Sequence, residues 1–139
     1  MDLYVDGSSK GNPGPGKAVA IIDQNSCGFL EKEEVLVKRL EEPNTNNQAE
    51  YYSLILALDW IENTIDEIKK NNEREIRIFT DSRLIEGHIN RNWKVNKNRS
   101  LVFKAKKKLR EIKKEIDVSI LWISREENIA GIMIEDGEV

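Results

Sequence analysis

Three apolar runs open the chain, and the breaks between them are too short to hold a crossover helix. Residues 2–6 (with Leu3-Tyr4-Val5-Asp6), Lys17 to Asp23 and Cys27 to Val37 read as strands. They are separated by the Gly/Pro-rich stretch Gly7 to Gly16 and by the polar turn Gln24-Asn25-Ser26. Parallel neighbours need a connection of about a dozen residues or more, usually helical, so these strands turn back on one another as an antiparallel meander.

The pattern then changes period. Asn44 to about Lys70 reads as one long helix. Thr45 is its N-cap, with Gln48 at N3 to complete a capping box. Tyr52, Leu56, Ile61, Ile65 and Ile68 form its apolar stripe. Residues 75–81 read as a fourth strand, followed by a short helix from Ser82 to about Asn90. Ser100 caps a further helix whose apolar positions are Leu101, Ala105, Leu109, Ile112 and Ile116. Asp117 to Ile123 is a fifth strand, and a last short helix starts at Glu126 or Glu127. Three consecutive strands followed by alternating helix and strand predict an α/β fold, with helices packed on a five-stranded mixed sheet. The 139 residues suit one domain, 1–139, with one core.

Three carboxylates stand out against this frame. Asp6 and Asp81 end predicted strands, and Glu50 lies near the start of the long helix. In open α/β sheets ligands gather beyond strand ends. If the first and fourth strands are parallel neighbours, the two aspartates meet there and Glu50 arrives from the helix. Clustered carboxylates repel unless a cation lies between them. Oxygen-only donors favour Mg²⁺ or Mn²⁺ over zinc, and with one His and one Cys the chain lacks the usual zinc ligands. Taken singly, each Asp has an ordinary alternative role as a turn or cap residue.

Charge is unevenly placed. The net charge is −3, yet Arg91 to Lys114 holds eleven Lys or Arg and one acid, Glu111, so that stretch carries +10. A local basic stripe attracts a polyanion even on an acidic protein. On the helix that starts near Ser100, Lys106 and Lys107 are candidate nucleic-acid contacts; the competing reading is a solvated helix face. Trp93 beside Lys94 offers an aromatic contact to a strand, or is a core residue. His88, alone on its short helix, reads as a surface or groove-edge residue. No apolar run is long enough to span a bilayer, no secretory leader is visible, and Cys27 stands alone. These features place the chain in a reducing cytoplasm, with neither a membrane nor a protein partner expected.

Asp6-Gly7-Ser8-Ser9-Lys10-Gly11-Asn12-Pro13-Gly14-Pro15-Gly16, Thr45-Asn46-Asn47-Gln48-Ala49-Glu50 and Thr80-Asp81-Ser82 resemble, in order and spacing, the three leading motifs of type 1 ribonuclease H. Trp122-Ile123-Ser124-Arg125-Glu126-Glu127-Asn128 resembles the start of the fourth. The resemblance implies a ribonuclease H-like fold. It also implies two-metal hydrolysis of the RNA strand of RNA–DNA hybrids, leaving 5′-phosphate and 3′-hydroxyl ends. It makes Asp6, Glu50 and Asp81 the catalytic metal ligands, with Mg²⁺ or Mn²⁺ as cofactor. It places Asn12, Asn46 and Asn47 against the minor groove and the RNA 2′-hydroxyls. Arg125, where the family often has a His nearby, remains a phosphate-binding candidate but not a base, since its guanidinium stays protonated.

One motif departs from the pattern. The family's fourth carboxylate is an Asp after Ala in the last motif. Here Asn128-Ile129-Ala130-Gly131-Ile132 puts Gly131 or Ile132 at that place, depending on the alignment. Neither side chain can bind a metal. Glu135 and Asp136 are the carboxylates that follow. Weak activity, a preference for Mn²⁺ or a substituted ligand would each follow from this change. The alternative function is a catalytically weak module that binds hybrids or double-stranded RNA on the same fold.

Overall fold

A computed structural model describes residues 1–139. Five strands, β1 (Asp2–Ser9), β2 (Gly14–Ile22), β3 (Glu34–Asn44), β4 (Glu75–Thr80) and β5 (Asp117–Trp122), form one mixed sheet in the order β3-β2-β1-β4-β5. The meander is antiparallel, whereas β1–β4 and β4–β5 are parallel. Four helices complete the chain: α1 (Asn46–Lys70), α2 (Arg83–Asn90), α3 (Arg99–Lys113) and α4 (Ile129–Glu135). No helix is long and apolar enough to cross a membrane.

The sheet is covered on both faces. Leu3, Val5, Ala20, Ile22, Ile76 and Ile78 point to one side, where they pack with α1 and α3 in the main core. Val19 and Ile21 point to the other, against Ala130 of α4, with Tyr4, Met133 and Ile134 alongside. Alternation along β1 therefore sends Tyr4 and Asp6 toward the face that α4 covers.

The predicted boundaries shift in ways that matter. Asp6 lies inside β1 rather than at its end, because the ladder continues through Gly7↔Ala18, Ser8↔Lys17 and Ser9↔Gly16. Only residues 10–13 are left as the turn. The glycine at 16 serves close backbone approach within the ladder: a Cβ there would stand 2.0 Å from the Ser8 carbonyl oxygen. The third strand begins at Glu34, not Cys27; Phe29 and Leu30 tuck against the core from an irregular segment instead. As an edge strand β3 tolerates Lys38, Arg39 and, near its end, Pro43.

Helix α1 keeps the expected capping box, with Gln48 N–H donating to Thr45 Oγ1 (3.1 Å) and Thr45 N–H donating to Gln48 Oε1 (2.8 Å). Its buried stripe is rotated from the expected one: Tyr51, Leu54, Leu58, Ile61 and Ile68 are buried, while Tyr52 and Leu56 are half-buried. Burial on two sides, against the sheet and α3, widens the apolar face beyond one row. Helix α3 starts after Asn98 in a left-handed conformation, two residues before the expected Ser100 cap. The last helix starts at Ile129, capped by Asn128, whose Oδ1 accepts from Ala130 N–H (3.2 Å).

His88 lies at a groove, lining a cleft, but not on the open surface. It is 4% exposed, and its Nδ1 meets the hydroxyl of buried Tyr51 at 2.8 Å. Burial and the nearby Lys106 charge hold the imidazole below its ordinary pKa, which favours its neutral form.

Candidate metal centre and nucleic-acid cleft

The centre is assembled by a missing side chain. At Gly7 a Cβ would lie 2.2 Å from both the carbonyl carbon and the carbonyl oxygen of Ala49. With glycine there, the first turn of α1 rests directly on β1. That contact brings Glu50 beside Asp6. Parallel pairing of β1 with β4 supplies Asp81, the residue after the β4 terminus. Ligand oxygens of Asp6, Glu50 and Asp81 all lie within 4.8 Å of one another.

Asn128 holds two of these elements in register. This buried residue donates from Nδ2 to the Val5 carbonyl oxygen (2.9 Å) and to Asp81 Oδ2 (3.0 Å), while its Oδ1 caps α4. Sequence reasoning gave it no role; an Asn directly before a short helix was the available signal. Trp122 Nε1 donates to the Asp81 carbonyl oxygen (3.1 Å), and the Arg83 guanidinium stacks 3.5 Å from the Trp122 ring centroid. Arg83 also lines the cleft and was likewise not singled out.

Electrostatics fit a bound cation. Glu50 Oε2 is inaccessible to solvent and has no hydrogen-bond partner, an expensive state for a carboxylate. Burial pushes Asp6 up to about 6, and the Asp81 charge adds to this against the opposing Glu50 and Gly7 contacts. Burial, then the Asp6 and Asp81 charges, drive Glu50 well above its ordinary value. A divalent ion reverses this logic by favouring the ionised forms. The three carboxylates therefore suit a hard, oxygen-preferring cation, and Asp6, Glu50 and Asp81 would hold it.

A consequence for stability follows from the sign of the Asp6 shift. A carboxyl whose folded pKa is raised binds more protons folded than unfolded, so its contribution is present below about 4 and is lost as pH rises through about 6. In chelator, Asp6→Asn is expected to raise the melting temperature above pH 6 by about 2–5 °C. The difference from the parent should fade toward pH 4, and a saturating divalent ion should stabilise the parent more than the variant. Calorimetric scans across this range check it; a difference that grows as pH falls contradicts it.

The sequence candidates distribute as follows. Asn46 and Asn47 line the carboxylate cleft together with Arg125, Ser82 and Gly131. An adjoining cleft shares Asn46, Asn47 and Leu84 with it and adds Asn12, Tyr51, His88, Lys94, Asn96 and Lys97. Asn12 Oδ1 accepts from Asn46 N–H (2.8 Å), and Asn46 Oδ1 accepts from Ser9 N–H and Oγ (both 3.0 Å). These two asparagines thus tie the β1–β2 turn to the start of α1 and keep their amide NH₂ groups for a ligand. Trp93 is exposed on one side and laid on Gly87 on the other; a Cβ at Gly87 would be 2.0 Å from its ring. Lys106 and Lys107 line neither cleft. Lys107 is exposed, Lys106 is half-buried near His88, and their neighbour Lys108 is ion-paired with Asp59 (2.6 Å) on α1. The basic residues that reach the clefts come instead from the segment before α3, as Lys94 and Lys97, and from Arg83 and Arg125.

The ribonuclease H family model matches residues 1–131. The chain belongs to the ribonuclease H family. It is 34% identical over 96 residues to the ribonuclease H of Francisella philomiragia, a match that covers 67% of this chain. The match covers 53% of that relative, so the chain spans about half the length of the curated relatives it matches. Among solved structures, ribonuclease H1 from Halobacterium salinarum superposes with a TM-score of 0.67 at 29% identity, covering 93% of this chain and 89% of that one. LC11-RNase H1, solved in complex with an RNA/DNA hybrid, superposes with a TM-score of 0.66 at 27% identity, covering 92% and 88%. The five-stranded mixed sheet of this chain matches these neighbours.

The structure also decides the alignment of the altered motif. A Cβ at Gly131 would lie 2.9 Å from Asp6 Oδ2 and 3.7 Å from Asp81 Oδ2, whereas Ile132 is 39% exposed and outside the cleft. Gly131 therefore occupies the place that faces the carboxylates.

Proposed function

We propose that this chain hydrolyses the RNA strand of RNA–DNA hybrids with Mg²⁺ or Mn²⁺, leaving 5′-phosphate and 3′-hydroxyl ends. The observation that carries this reading is the convergence of Asp6, Glu50 and Asp81 around a buried carboxylate oxygen that has no partner. The ions, when bound, supply activation of the attacking water and stabilisation of the leaving oxygen. Asp6, Glu50 and Asp81 would hold the ions, their ligand oxygens lying within 4.8 Å of one another. Asn128 fixes the Asp81 carboxylate through its amide. Arg125 and Arg83 flank the cleft and bind phosphate oxygens, and neither takes up a proton from water.

Substrate choice rests on the amides. Asn12, Asn46 and Asn47 present NH₂ donors along the boundary of the two clefts, where a 2′-hydroxyl distinguishes RNA from DNA. The second strand lies along the adjoining cleft, against Lys94 and Lys97, with Trp93 exposed beside Lys94 but outside the cleft lining. Lys106 and Lys107 are assigned a longer-range electrostatic contribution from the α3 face rather than direct contact at the cut site. The free thiol of Cys27 suits a reducing cytoplasm.

The test is a hybrid labelled on its RNA strand, incubated with Mg²⁺ or Mn²⁺. Cutting that stops with chelator, and spares the DNA strand and a DNA duplex, is the expected result. RNA left intact with both ions, despite hybrid binding, would favour the binding-module reading.

A further inference from the structure

We infer that Glu135 supplies the carboxylate that this chain lacks at Gly131, so that the metal centre draws its fourth acid from one turn further along α4. The inference rests on the nuclease reading above and concerns which residues complete that site.

Two observations carry it. First, Gly131 brings the α4 backbone against the centre, since even a Cβ there would press to 2.9 Å from Asp6 Oδ2. The next turn of α4 lies along the same cleft, with Ile134 and Glu135 in its wall. Second, positions four apart on a helix share a face, and Gly131, Ile134 and Glu135 line the same cleft as Asp6, Glu50 and Asp81. Asp136 does not line it. Glu135 makes no ion pair or side-chain hydrogen bond, so nothing in the fold holds its carboxylate elsewhere. A Glu one turn away, with a side chain longer than Asp, is a chemically reasonable donor to an ion held mainly by the other three. Glu50 Oε2, buried and unpartnered at the centre, independently marks a place where a cation is needed.

The experiment is a Mn²⁺ titration of the full chain followed by the free-ion paramagnetic resonance signal, with hybrid cleavage measured against Mg²⁺ concentration. Glu135→Gln is expected to weaken Mn²⁺ binding and raise the Mg²⁺ needed for half-maximal cleavage, each by about tenfold or more. Asp136→Asn is expected to stay within about twofold of the parent. Adding Gly131→Asp to Glu135→Gln should recover part of the lost affinity, if Asp6 shifts to admit it. Melting curves should be unchanged by Glu135→Gln in chelator, because the side chain is exposed. Mn²⁺ binding by Glu135→Gln equal to the parent's, while Asp81→Asn binds poorly, overturns the Glu135 assignment and leaves the nuclease reading standing. A parent that binds no Mn²⁺ overturns both.

Discussion

Asp81→Asn is expected to lower hybrid cleavage by about a thousandfold or more while hybrid binding in chelator stays within about threefold of the parent. Asp81 Oδ2 accepts from Asn128 Nδ2, and an amide keeps one oxygen able to accept that bond, so β4, α4 and the cleft walls stay in place. The lost quantity is charge. Removing one anion from a three-carboxylate centre weakens its hold on a divalent ion and disturbs the symmetry on which in-line displacement depends. Arg83, Arg125 and the asparagines that line the clefts are untouched. Single-turnover cleavage and a filter-binding titration separate the two effects. Cleavage by the variant at the parent's rate would exclude a metal role for Asp81, and loss of binding in parallel with cleavage would make the residue structural.

Gly7→Ala is the second large effect, and it involves no charge. The added methyl would sit 2.2 Å from the Ala49 carbonyl group and 2.6 Å from Glu50 N, all backbone atoms that no rotamer change can move. Helix α1 must lift off β1 by more than about 1 Å to restore ordinary contact. Glu50 rides on that turn, so its carboxylate leaves Asp6 and Asp81. A misplacement of that size at a catalytic centre costs about a hundredfold in rate, and overpacking costs about 1–3 kcal/mol in stability. The expected result is both losses together, read by cleavage kinetics and by urea denaturation. A variant as stable and as active as the parent would show that the close approach at Gly7 does not set the position of Glu50.

The two substitutions also explain what the sequence could reveal. The Thr45–Gln48 capping box fixed the start of α1 to within a residue or two, and with it the turn that carries Glu50. Asp81 was legible because a β-branched, apolar run ends directly before it. The strand ends in the meander were not. Gly7, Gly14 and Gly16 look like turn residues in one dimension, yet they belong to strands because neighbouring backbones crowd them, a tertiary fact. His88 looked solitary because its partner, Tyr51, lies far away along the chain. The α3 lysines drew attention by number, while the cations that reach the clefts are scattered at Arg83, Lys94, Lys97 and Arg125. The Gly131/Ile132 ambiguity could be resolved only by seeing which position faces Asp6.

The central claim is that three acidic side chains share divalent ions at the β1–β4 junction. Anomalous scattering from crystals grown with Mn²⁺ tests it most directly. The account predicts manganese peaks between Asp6, Glu50 and Asp81, with carboxylate oxygens at direct-coordination distance. Manganese found only elsewhere, with Asp6 and Glu50 sharing a proton in its place, would contradict it.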